Sequence, residues 1–251
     1  MNLIRCEFPS EVLHTHVRVT VLLPKRRGEA PGAGDPYPVA YLLHGVMDSG
    51  ESWLSHTELA ELVDDRNIAV VLPNMSNSFC LDEPEGAGYF TFLTEELPGY
   101  LEEILPLSPK REETFLGGLS MGGYGSLYAA LRKPEKYGRV FSLSGAVDIR
   151  KAAGFSRVLG VELPSPLRDR KGLPGGEYDL FSLLRQVEPG AMPPVFLACG
   201  TEDYFFRDNR ALAEAMGDRG LCVDFHALPG EHSWRFWRKA LVSAFDFLVQ
   251  S

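Results

Sequence analysis

The chain has 251 residues, of which 45% are hydrophobic, 24% charged and 11% aromatic, a balance that excludes disordered, collagen-like and coiled-coil classes. Its 25 Lys and Arg against 34 Asp and Glu leave a net charge of −9, a field that repels phosphate backbones and argues against a nucleic-acid partner. The longest apolar runs, such as Val39–Leu43 and Ile68–Leu72, are far shorter than the ~20 residues a membrane-spanning helix needs, so no membrane partner is expected.

One domain, residues 1–251, suits this length, and a chain of this size buries roughly 70–75% of its unfolded surface without staples. The N-terminus, MNLIRCEFPSEVL, lacks the apolar stretch of about 7–15 residues that marks a secretory leader. Four cysteines, Cys6, Cys80, Cys199 and Cys222, lie far apart with no C-x-x-C pair, which argues against a zinc site or a disulfide scaffold. Reduced thiols in the cytoplasm are expected, with Cys199 and Cys222 serving as small buried hydrophobes inside strand-like runs.

From Val17 the apolar residues Val17, Val19, Val21 and Leu23 alternate with Arg18 and Thr20, and His14 and His16 continue the polar face upstream. That period of two predicts a half-buried antiparallel strand ended by Pro24. Lys25–Pro38 reads as a turn-rich loop. Continuous apolar runs then recur at Val39–Leu43, Ile68–Leu72, Thr114–Leu116, Val140–Leu143 and Val195–Cys199, the pattern of parallel strands covered on both faces. Helical stretches fall at about Thr57–Asp65, Phe92–Ile104, Met121–Leu131 and Asn209–Arg219. A last helix, Ser233–Val249, follows a strand at Cys222–Leu228. The alternation predicts an α/β fold with a mostly parallel, doubly wound sheet. Ile149–Pro194, rich in Pro, Gly and charge with weak periodicity, reads as a small cap inserted into that domain.

Chemistry concentrates at strand ends. Gly118-Leu119-Ser120-Met121-Gly122 fits G-x-S-x-G, with an apolar strand before it and a helical run after it. Such a turn lifts the serine hydroxyl clear of the sheet, admits only small flanking residues, and sets Ser120 at a helix N-terminus that favours developing negative charge. A serine needs a base to take its proton. His14, His16 and His226 fall on polar strand faces, and His56 begins a helix. His232 is the candidate base, because it follows the last strand across Leu228-Pro229-Gly230-Glu231 and completes the chain order serine, acid, histidine. The orienting acid is then expected just after Val195–Gly200. Asp203 is the candidate, Glu202 the neighbour that could replace it, and Asp208 reads as the cap of a helix beginning at Asn209. The loop Leu42–Asp48 ends the first buried strand, and the backbone N–H groups of Val46 and Met121 are the expected oxyanion donors. His44 is expected to fix that loop and border the substrate. Trp53, Phe205 and Trp234 are candidate pocket aromatics, with core packing as the alternative for each. No metal is expected, since His14-x-His16 offers two ligands with no third nearby.

With these residues in place the chain resembles the esterase D / tributyrin-esterase branch of the α/β-hydrolases, which includes small bacterial acetyl esterases. SEVLHTHVRVTVLLP, YLLHGVMDSGESW, VVLPN, FLTEELPGYLEEILP, FLGGLSMGGYGSLYAAL, FSLSGAVDI, FLACGTEDYFFRDN and LPGEHSWRFW carry the resemblance, over about Ser10–Ile149 and Val195–Leu248. It implies an α/β-hydrolase fold and places nucleophile, acid and base on Ser120, Asp203 and His232. It also implies cofactor-free hydrolysis of short-chain acyl esters, acetyl to butyryl, through an acyl-serine. The S-formylglutathione hydrolases of the branch typically carry S-G-L-T-C-x where this chain has His44-Gly45-Val46-Met47-Asp48, which disfavours that thioester. Ser76–Asp82 matches the branch only loosely.

The expected function is therefore a serine carboxylesterase acting on a small-molecule ester, as a monomer or a homo-oligomer. An acyltransferase on the same machinery would differ in passing the acyl group to an alcohol rather than water. A non-catalytic binding module on the same fold is the reading from another class, and the presence of serine, acid, histidine and both glycines argues against it.

Overall fold

The computed structural model describes residues 1–25, 34–168, 175–188 and 190–250. Eight strands form one sheet: β1 (Asn2–Ser10), β2 (Thr15–Leu23), β3 (Val39–Leu43), β4 (Ala69–Leu72), β5 (Thr114–Leu119), β6 (Arg139–Leu143), β7 (Val195–Gly200) and β8 (Val223–Leu228). Their spatial order is β1-β2-β4-β3-β5-β6-β7-β8. The β1–β2 and β2–β4 pairs are antiparallel, and every pair from β4 onward is parallel. This is the mostly parallel sheet that the strand–helix alternation predicts, in the α/β-hydrolase arrangement that the resemblance implies.

The helices are α1 (Ser52–His56), α2 (Leu59–Arg66), α3 (Tyr89–Thr91), α4 (Leu97–Ile104), α5 (Met121–Arg132), α6 (Ile149–Val158), α7 (Ser165–Arg168), α8 (Leu180–Leu184), α9 (Phe206–Asp218) and α10 (Trp234–Leu248). The period of two along β3 divides the core. Val39, Tyr41 and Leu43 join one apolar cluster with α4, α5, α6, α8 and α9, whereas Ala40 and Leu42 join a second with α1, α2 and α10. None of the helices among the described residues is long and apolar enough to cross a membrane.

Several local expectations change. β1 is a strand that the alternation from Val17 did not reach, although Cys6, Phe8 and Ser10 are buried in turn along it. In β2 the polar face gives out at Thr20, which is buried, because the second half of that strand is covered on both sides. The hydroxyl of Thr20 donates to Glu51 at 2.9 Å. The expected helix over Thr57–Asp65 is α2, which begins at Leu59, and a short helix that the sequence reading did not name, α1, precedes it. Thr57 separates the two, its hydroxyl donating to Trp53 O at 2.5 Å and accepting from Leu59 N at 3.2 Å. The expected helix over Phe92–Ile104 contains a π-helical stretch, Phe92–Glu96, before α4. Pro98 has no N–H to offer the Thr94 carbonyl, which accepts from Lys136 Nζ at 2.7 Å instead. Cys222 is exposed just before β8, contrary to its expected burial. Of the Lys25–Pro38 loop, residues 26–33 lie outside the described residues. The segment between β6 and β7 carries α6, α7 and α8, with 169–174 and 189 outside the described residues.

Candidate active site

Ser120 stands between β5 and α5 with φ 53° and ψ −114°, a backbone conformation rarely held by a residue with a side chain. Sterics enforce it. A Cβ on Gly118 would stand 2.5 Å from the Gly122 backbone, and one on Gly122 would stand 2.3 Å from Leu43 O. These glycines let α5 start directly against β3 and β5, which leaves the serine no other course. The turn is also pinned by hydrogen bonds, Ser120 N to Leu143 O at 3.0 Å and Ala146 N to Ser120 O at 3.0 Å.

Two loops at neighbouring strand ends meet the serine. His232 Nε2 lies 3.0 Å from Ser120 Oγ, and its Nδ1 lies 2.9 Å and 3.1 Å from the two carboxylate oxygens of Asp203. Asp203 is buried, and its Oδ1 also accepts from Phe205 N at 2.8 Å, so the carboxylate is fixed from two sides. The loops touch where Gly200 faces Gly230: a Cβ on Gly200 would stand 2.1 Å from Gly230 O. Glu202 points elsewhere, accepting from Gly230 N at 2.5 Å and from the Thr201 hydroxyl at 2.8 Å. Those bonds, the Gly230 N–H first, hold its carboxyl below the usual range. Asp208 lies in the first turn of α9, which begins at Phe206 rather than Asn209, and it pairs with Lys151 at 2.8 Å instead of capping the helix.

Three rings surround the imidazole of His232: Trp237 at 4.9 Å, Phe205 at 5.3 Å and Phe155 at 5.8 Å, all edge-on. Phe205 was a candidate from sequence; Trp237 and Phe155 were not, since nothing in their local pattern separates them from other apolar helix positions. Trp53 is wholly buried in the core behind α1, against Trp234 at 5.3 Å. Trp234 stacks on His56 at 4.8 Å and meets Trp237 at 5.4 Å. Trp53 is thus packing rather than a substrate wall, and Trp234 is engaged by three rings on the α1–α10 side of the sheet.

His44 is likewise no substrate contact. It is buried, and both ring nitrogens are used: Nδ1 lies 2.7 Å from Gly45 O, and Met75 N donates to Nε2 at 2.9 Å. Because the Met75 amide can only donate, Nε2 accepts and Nδ1 carries the proton. Burial pushes the His44 pKa down and keeps the ring neutral. Val46 follows, half-buried, and Met121 is the first residue of α5, where an N–H has no intrahelical acceptor.

The Putative esterase family model matches residues 10–248. The chain belongs to that esterase family. It is 30% identical to an acetyl esterase of Caldicellulosiruptor saccharolyticus over 269 aligned positions, covering 99% of this chain and 98% of that protein. Among solved structures it is similar to the fluorophosphonate-binding serine hydrolase FphF of Staphylococcus aureus, with a TM-score of 0.88, 24% identity, and coverage of 100% and 99% of the two chains. The S-formylglutathione hydrolase FrmB of the same organism superposes with a TM-score of 0.85 at 24% identity, covering 99% of each chain. As a member of this family, the chain is an ester hydrolase.

Proposed function

We propose that this esterase cleaves short-chain acyl esters, acetyl to butyryl, with Ser120 as nucleophile, His232 as general base and Asp203 as its orienting acid. The observation that carries the reading is the unbroken relay from Asp203 through both nitrogens of His232 to Ser120 Oγ, at 2.9 Å and 3.0 Å. Ser120 Oγ attacks the acyl carbon as its proton passes to His232 Nε2, and the Asp203 carboxylate stabilises the imidazolium that forms. The backbone N–H groups of Val46 and Met121 receive the charge on the acyl oxygen, each such donor being worth about 3–4 kcal/mol in the transition state. Collapse of the intermediate expels the alcohol, which takes the proton from Nε2. Water then repeats the sequence on the acyl-serine and releases the acid. None of these steps calls for a cofactor or metal.

The short-chain preference rests on likeness to the acetyl esterase. Residues 149–194 we assign as an insertion within a single domain, with α6 at its start bordering the site. The contact of Phe155 with His232 supports this, as does Lys151, whose Nζ donates to Tyr204 O at 2.7 Å beside Asp203. The test is acid release from p-nitrophenyl acetate, butyrate and decanoate, with mass spectrometry after treatment with a fluorophosphonate. The expected result is faster turnover of the two short esters and an adduct on Ser120. A rate rising steadily with chain length would overturn the chain-length assignment, and an adduct elsewhere with Ser120 free would overturn the nucleophile.

A further inference from the structure

We propose that Asn77 is a positioning residue that aims the Val46 N–H into the oxyanion hole. The proposal rests on the assignment of Val46 as an oxyanion donor. The Val46 N–H belongs to the peptide that joins it to Gly45, and a trans peptide is planar with its N–H and C=O pointing opposite ways. Whatever holds one end of that unit therefore sets the direction of the other. His44 Nδ1–H holds the Gly45 carbonyl at 2.7 Å. That bond alone leaves the peptide free to rock, because the next unit could rotate about Val46.

Asn77 restrains the next unit. Its Oδ1 accepts from Met47 N at 2.8 Å, so both peptides flanking Val46 are tied to fixed groups. Met47 needs such a restraint more than its neighbours. It holds φ 59°, a conformation costing of order 1–3 kcal/mol, and the residue is 69% exposed, so packing does not hold it. Asn77 is itself held. Ser78 N bonds Met75 O at 3.3 Å, closing a turn in which Ser76 has φ 51°, and Met75 N is the donor to His44 Nε2. Asn74 Oδ1 adds a third tie, to Gly50 N at 3.0 Å. The segment after β4 thus grips the loop after β3 at three successive points, with the donor peptide between the first two.

A mis-aimed donor weakens the transition state and leaves the bound ester almost untouched, because the acyl oxygen becomes strongly charged only as the tetrahedral centre forms. The experiment is Asn77→Ala in the full chain, with active sites counted by fluorophosphonate labelling of Ser120 so that unfolded protein does not enter the rate. We expect kcat to fall about ten- to a hundredfold, the scale of a small misplacement of catalytic groups, with KM within about twofold. Affinity for a trifluoromethyl ketone, whose hemiketal oxygen occupies the oxyanion position, should fall by a similar factor. Asn77→Ser, a shorter acceptor, should lie between Ala and the native residue. An unchanged kcat per labelled site overturns the proposal, as does a loss that appears in KM while ketone affinity stays constant. Failure of the proposed Ser120 mechanism is separate: it would appear as ester hydrolysis that survives Ser120→Ala.

Discussion

Ser120 and Met47 both hold positive-φ backbone at strand ends, at 53° and 59°, but the protein enforces the two by different means. At the elbow the agent is steric, since the glycines on either side sit where a Cβ would strike backbone atoms of the facing elements. In the loop after β3 the agent is a set of polar bonds to His44, Asn74 and Asn77 around an exposed side chain. Steric enforcement is all-or-none, because close-packed backbone has nowhere to move. Polar enforcement is graded, with each bond contributing about 0.5–1.5 kcal/mol net. The esterase thus sets Ser120, the proposed nucleophile, with the rigid device and the proposed oxyanion loop with the adjustable one.

The largest expected effect isolates the hydroxyl from the elbow that presents it. Ser120→Ala should lower turnover on the order of 10⁶-fold, the loss seen when a triad serine is removed. The midpoint of urea unfolding should hardly move, since glycine packing holds the turn and the hydroxyl does not. A marked loss of stability in this variant would break the contrast.

Next comes the loop of Asp203, the proposed acid, which uses both means: Gly200 packs against Gly230, and Asp203 is bonded to Phe205 N. Asp203→Asn should cut turnover by about 10⁴, the penalty for turning a triad aspartate into an amide. Glu202→Gln and Asp208→Asn should each cost less than about tenfold, or 1.4 kcal/mol, because those carboxylates bind Gly230 N and Lys151 instead of the imidazole. Steady-state kinetics on one short ester compares all three, and a large loss in either control would relocate the acid.

A smaller effect falls on stability. Gly122→Ala puts a methyl 2.3 Å from Leu43 O, a backbone atom of a central strand that cannot step aside. Overpacking usually costs about 1–3 kcal/mol, and this contact belongs at or above the upper end. Urea unfolding of the purified variant measures it. A cost under about 1 kcal/mol would show that the elbow yields and that its geometry is not set by sterics.

The same contrast governs what the sequence could disclose. The elbow is readable because sterics demand particular residue types at fixed spacing, so Gly118, Ser120 and Gly122 announce themselves. The buried parallel strands are readable because both faces must be apolar, and β3 spans the residues its pattern implies. Polar ties between distant segments leave no such trace. Asn77 and Met47 are thirty positions apart, and nothing in either segment requires the other. From sequence His44 is expected both to fix its loop and to border the substrate; its two bonds fit the first role and show the ring turned inward, away from the second. The gap at Thr57 and the π-helical stretch before Pro98 are likewise local, the first set by the Thr57 hydroxyl's bonds and the second by the N–H that Pro98 lacks.

The smallest expected effect probes the polar device through pH. Neutral His44 fits its site because Nε2 must accept from Met75 N while Nδ1–H donates to Gly45 O. Protonation would set two N–H donors against each other in a buried place, and burial already lowers the folded-state pKa below the ordinary 6.5. The unfolded chain, free of this constraint, takes up a proton there near 6.5, so below that pH it binds more protons than the folded state. The stability from His44 is therefore complete above about pH 6.5. It declines as pH falls through the window between 6.5 and the lowered folded value, at a slope of up to about 1.4 kcal/mol per pH unit. His44→Gln has no titrating ring, so the native protein should lose stability more steeply than the variant across that window, while the two curves run parallel above pH 7. Urea unfolding at pH 7.5, 6.5, 6.0 and 5.5 measures the difference. Identical slopes would mean that the folded state accommodates a protonated His44, and that the loop after β3 is held by packing as the elbow is.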